Sequence, residues 1–124
     1  MALPLNPDRL RLVYDLLAEC PPFDKWNLPH GEDVHFRVSR KVKEYGQHRR
    51  TISNRGKYKH HIEISAVNVT TLETLVRTMA HEMIHVHEQA NEVCTPHQST
   101  LHTEAFRCFA LEVCKVHGFN PDAF

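Results

Sequence analysis

Residues 81 to 85 read His-Glu-Met-Ile-His. On a helix, residues four apart lie on one face with Cβ atoms about 5–6 Å apart. His81 and His85 would therefore present two imidazoles to a single zinc ion, which neutral histidine holds at about 2.0–2.1 Å. Glu82 follows the first histidine, where its carboxylate can act as a general base on water at the metal's open position without ligating the metal. A catalytic zinc also requires a third protein ligand. One known arrangement places Gly and His three and six residues after the second histidine; here those positions are Glu88 and Asn91. Three sources remain open from the residues alone: Glu104, His97 in a connecting loop, and His102. His102 is favoured because it shares a helical stripe with Phe106, Phe109, Val113 and Val116, so the side that packs inward would carry it toward the neighbouring helix. His97 is the second choice. His87 and Glu88 are expected on a solvated helix edge. Tyr45, Tyr58 and His97 are candidates to stabilise a developing oxyanion.

The elements that must position these groups are legible from capping and periodicity. A first helix is expected over about 7 to 19, with Asn6 as N-cap, Pro7 at the first helical position and a Leu5–Leu10 staple. Its stripe is Leu10, Val13, Tyr14 and Leu17. Val34, Phe36 and Val38 alternate with His35, Arg37 and Ser39, the pattern of a half-buried strand. A weaker strand is expected at about 46 to 52. After the turn residues "SNRG" a third follows at about 57 to 65, with Ile62 and Ile64 on one face, and two of the three plausibly form a hairpin. Residues 71 to 90 carry Leu72, Leu75, Val76, Met79, Met83 and Val86 on one helical stripe. A last helix spans 101 to 117, ended by Gly118. The fold class is α+β: an N-terminal helix, a small three-stranded sheet, the helix bearing HExxH and a C-terminal helix.

The 124 residues, 41% hydrophobic and 24% charged, suit one globular domain over 1–124. No apolar run approaches the 18 or more residues that read as a membrane-spanning helix, and no signal peptide is visible, so a cytoplasmic location is expected. Cys20, Cys94, Cys108 and Cys114 form no CxxC pair. They are expected as free thiols, with Cys108 and Cys114 packed on the last helix, and no zinc ribbon is expected to be appended. Asn68-Val69-Thr70 matches a glycosylation acceptor, read as chance in a chain without secretion. Net charge is zero, yet residues 37 to 60 hold nine Lys and Arg against one acid, Glu44. Arg37, Arg40, Lys41, Lys43, Arg49, Arg50, Arg55, Lys57 and Lys59 are therefore candidates to contact DNA or another anionic partner, weighed equally against a solvated sheet face.

The ordered set "YGQHRRTISNRGKYKHHIEISAVNVTTLETLVRTMAHEMIHVHEQ" followed by "LHTEAFRCFALEV" resembles the SprT-like (Spartan-type) zinc metallopeptidase domain over about residues 7 to 118. The resemblance implies a minimal zincin-like core, zinc ligation by His81, His85 and His102, and Glu82 as catalytic base. Thr103 stands where the family typically has glycine. The implied function is a Glu-assisted, zinc-dependent protease acting on a protein substrate, including proteins associated with or crosslinked to DNA. The alternatives are a dedicated protease for one regulatory protein and a non-catalytic, zinc-stabilised module that binds nucleic acid or protein.

Overall fold

The computed structural model describes residues 3–90 and 102–124. Helix α1, Pro7–Ala18, starts where the Asn6 side chain accepts a hydrogen bond from the Arg9 amide at 2.9 Å, satisfying one of the donors that a helix start leaves orphaned. It buries Leu10, Tyr14 and Leu17. The Tyr14 hydroxyl donates to the Pro29 carbonyl at 2.6 Å, so a fully buried ring keeps its polar end bonded.

Three strands follow: β1 (Val34–Ser39), β2 (Gly46–Ile52) and β3 (Tyr58–Ser65), in the order β1-β3-β2. β2 and β3 form the expected hairpin, closed where Gly56 takes a φ of 75° that suits glycine. β1 pairs with β3 in parallel, so the chain must cross the sheet end between Ser39 and Gly46. Asn68 pins that crossing: its side-chain amide donates to the carbonyls of Val42 at 3.2 Å and Glu44 at 2.7 Å. The Tyr45 carbonyl accepts from the Ser65 amide at 2.8 Å. Asn68, met in the sequence as a chance glycosylation match, thus fixes the approach of Tyr45 and Gly46.

Helix α2, Leu72–Ala90, lies at the centre of the molecule against α1, the sheet and α3. Met79, Ala80, Met83, Ile84 and Val86 are all fully buried, in one core cluster with Ile62 and Ile64. Ala80 and Ile84 widen the buried surface beyond the single stripe that the periodicity suggests, and Leu72, expected on that stripe, is exposed at the first turn. Helix α3, Glu104–His117, begins later than the expected residue 101, because Thr103 is its N-cap and accepts from the Phe106 amide at 3.1 Å. Gly118 closes it with a φ of 76°. α3 docks through Phe106, Val113 and the partly buried Phe109, whereas Val116 and Cys108 face outward. Cys20, Cys108 and Cys114 are free thiols; Cys94 and His97 lie outside the described residues.

Met83→Ala should lower unfolding free energy by about 2–5 kcal/mol, the cost of deleting a fully buried side chain at a site that cannot collapse. Urea titration checks this, and a loss well under 1 kcal/mol would show that α2 is not the centre of the core.

Candidate metal centre

His81 and His85 stand on successive turns of α2, as the four-residue spacing requires. His102 reaches them by a route different from the one the stripe suggests. It precedes α3, and its ring stacks on Phe106 with centroids 4.5 Å apart and planes 9° from parallel. Phe106 also stacks on His85 at 4.5 Å, so one buried phenyl ring sets two imidazoles. The result is a group of three potential ligand nitrogens, all within 4.8 Å of one another. The Nε2 atoms of His81 and His102 are 3.1 Å apart. Two nitrogens on a tetrahedral zinc would be separated by about 3.3 Å, so this pair already has a ligand spacing. Among the described residues this is the one cluster that could hold a metal ion.

The donors are chemically suited to the task. Burial lowers the pKa of His81 to about 4 and of His85 to about 3, with neighbouring imidazoles adding to the effect. Burial and the Arg107 charge lower that of His102. All three are therefore neutral at pH 7, the form that ligates metals. His85 Nδ1 faces Glu88 Oε1 at 3.7 Å, and both atoms are buried without a hydrogen bond. That separation is too long for a bond, and a neutral imidazole makes this no ion pair. It is nevertheless the placement of a carboxylate that orients a metal-bound histidine through its second nitrogen. Glu88 is itself held by the Thr103 hydroxyl, which donates to Oε2 at 3.0 Å. The residue that caps α3 thus also anchors the carboxylate behind His85.

Glu88 corrects the expectation of a solvated edge, being 1% exposed. His87, expected there too, stacks on Trp26 with centroids 4.3 Å apart. The signal for Glu88 was its position three residues after His85, on the same face as the ligand. Glu104 is exposed and outside the ligand group.

Glu82 is 4% exposed, and burial, reinforced by the Glu44 charge, raises its pKa to about 8. A cation on the adjacent imidazoles would draw it back toward the ionised form. Gly46 lies directly over this carboxylate: a Cβ there would meet Thr78 Cγ2 at 2.9 Å and Glu82 Oε2 at 3.1 Å. β2 can therefore approach α2 so closely only with glycine at this position.

Two adjoining cavities open on the site. One, of about 490 Å³, is bordered by Tyr45, Arg77, His81, Glu82, His102 and Phe124. The other, of about 180 Å³, lies between His48, Gln47, Glu44 and the same histidines. Tyr45 is the oxyanion-stabilising candidate that borders the cleft; Tyr58 instead sits under the Arg50 guanidinium, 4.0 Å from its ring centre. His48 was not anticipated. It is 2% exposed, bonded between Nε2 and His60 Nδ1 at 2.9 Å, and its ring lies parallel to His85 at 6.3 Å.

The nine basic residues do not converge on the cleft. Arg50 donates to the Gln89 carbonyl at 2.9 Å and is partly buried, and Lys41 pairs with Glu63 at 3.0 Å. Arg37, Arg40, Lys43, Arg49, Arg55, Lys57 and Lys59 are exposed on the sheet face, the crossing and the hairpin end. No family model matches the chain, and no curated protein or solved structure shows a significant match to it.

The lowered pKa values should make the metal-free protein acid-sensitive. Seven described histidines (48, 60, 61, 81, 85, 87 and 102) are lowered from 6.5, whereas Glu82 and Glu88 are raised. Below pH 6.5 the unfolded chain gains protons at these imidazoles that the folded chain refuses. The two carboxyls act in the opposite sense and are outnumbered. Stability should fall as pH drops from 6.5 toward 5, seen as a lower urea midpoint with chelator present. An unchanged midpoint would mean that the fold does not hold these imidazoles in their neutral form.

Proposed function

We propose that the protein is a zinc-dependent metallopeptidase that hydrolyses peptide bonds in a protein substrate. The observation that carries this reading is the combination of three neutral imidazoles around one point with a buried carboxyl beside them that has no partner among the described residues. A purely structural zinc site is closed by four protein ligands, and here the described residues supply three. Among the described residues Glu82 is outside the ligand cluster and has no bonding partner that would explain its burial.

When bound, the divalent ion supplies a Lewis acid with a free coordination position, polarising a carbonyl oxygen and acidifying water. The chain's own residues do the rest. His81, His85 and His102 hold the ion as neutral donors, and Glu88 orients His85. Glu82 accepts the proton of the attacking water in the cleft and delivers it to the leaving amine. The closeness of Gly46 limits the space around that carboxyl and keeps it poorly solvated. Tyr45, at the cleft margin, is the described candidate to donate to the developing oxyanion. The exposed Arg40, Lys43, Arg55, Lys57 and Lys59 offer a surface for DNA, which would place DNA-associated proteins among the substrates, with binding that weakens as salt rises.

Glu82→Gln should abolish cleavage of an unfolded protein substrate while leaving the bound zinc at one per chain, and His102→Ala should lower the zinc content. Metal analysis beside a degradation assay checks both. Cleavage retained by Glu82→Gln would refute the proton-transfer role, and unchanged zinc in His102→Ala would remove it from the ligand set.

A further inference from the structure

The face of the sheet turned away from α2 holds a feature that the metal site does not use. Strand register sets His35, His61 and Arg49 in one row across it, and Arg37, Glu63 and Gln47 in the next. Together with Lys41 these groups enclose a cavity of about 220 Å³. Its chemistry is cationic. Among the described residues the only acid bordering it is Glu63, paired with Lys41 at 3.0 Å; Lys41 also faces Glu44 at 3.8 Å, so Arg37, Lys41 and Arg49 together outweigh two carboxylates and the pocket keeps a net positive charge. Lys41 also donates to Gln47 Oε1 at 3.4 Å, so the Gln47 amide nitrogen is left as a donor. The imidazoles of His35 and His61 meet at 3.3 Å, and His61 is bonded to Thr51 Oγ1 at 2.9 Å. The donors are thus partly ordered before any ligand arrives, which lowers the cost of binding.

Position says what such a pocket would serve. β2 is an edge strand of the sheet, and Gln47 borders both this pocket and the smaller cavity at the metal centre. An extended chain advances about 3.3–3.6 Å per residue, so a polypeptide in the cleft can pass the β2 edge and reach the pocket within a few residues. Size and shape favour one anionic head group over a long polyanion. Of the other basic residues, Lys59 alone continues this face beyond His61 and does not border the pocket, Arg50 is turned inward, and Arg55 and Lys57 sit at the hairpin end.

We propose that this pocket binds an anionic side chain, phosphorylated or acidic, of the polypeptide being cleaved, with Arg37 and Arg49 as the specificity-determining residues. The proposal rests on the peptidase reading for its substrate but on the pocket's own geometry for its ligand. The guanidinium fork suits both a phosphate and a carboxylate.

The test uses fluorescent peptides about ten residues long that differ only in carrying serine, phosphoserine or aspartate beyond the scissile segment, and a single-stranded oligonucleotide with the same label. Anisotropy and cleavage are measured on the zinc-loaded chain and on the double variant Arg37→Gln/Arg49→Gln. The phosphoserine and aspartate peptides should bind at least about tenfold more tightly than the serine peptide. The double variant should erase that preference while cleaving the serine peptide at the unaltered rate. Equal binding of the three peptides, a preference that survives the double variant, or an oligonucleotide as the sole ligand of these arginines would overturn the proposal. Preferential binding with no cleavage of any peptide would uphold the pocket and sink the peptidase reading alone.

Discussion

Burying Glu82, His85 and Glu88 on the helix that also forms the centre of the apolar core is the constraint from which the rest of the structure follows. Each is at most 4% exposed, and removing such groups from water is costly unless they are neutral or bonded. The fold meets the constraint by neutralisation and by neighbours drawn from other elements. The His85 imidazole is held uncharged by its burial. Thr103, at the start of α3, bonds Glu88. Phe106, one turn later, fixes the planes of His85 and His102. The attachment of α3 is therefore both a packing event and the completion of the histidine cluster.

The same constraint explains the sheet. β2 must lie close over Glu82, which requires glycine at position 46, and it must face α2 with something other than aliphatic side chains. Its inward positions are Gly46, His48 and Arg50. All three serve the site or its surroundings: a close approach, a buried imidazole pair and a bond to the Gln89 carbonyl. The crossing pinned by Asn68 then delivers Tyr45 to the cleft margin.

These demands also account for what the sequence shows and what it conceals. α1, β1, β3 and α2 are legible because each obeys a hydrophobic period, and the start of α1 and the end of α3 because Asn6 and Gly118 are ordinary caps. His81, Glu82 and His85 are legible because their spacing needs only one helix. β2 is weak in the sequence because its inward face is polar, as happens where a local rule yields to a site. His102 joins the histidine cluster by a different geometry from the one the sequence suggests: helical periodicity assumes that it lies on α3, whereas Thr103 caps the helix one residue later and ring stacking on Phe106 orients the imidazole. Glu88, His87 and His48 are hidden because their burial depends on Trp26, Thr103 and His60, partners distant in sequence. Only the fold brings those together.

The central claim is that His81, His85 and His102 gather one metal ion and leave it an open position. X-ray absorption at the zinc edge of the zinc-loaded protein tests this most directly, because it counts and identifies the donor atoms. The account predicts three imidazole nitrogens at about 2.0–2.1 Å and one further light-atom ligand, with no sulfur. A sulfur shell at about 2.3 Å, or fewer than three imidazoles, would contradict it.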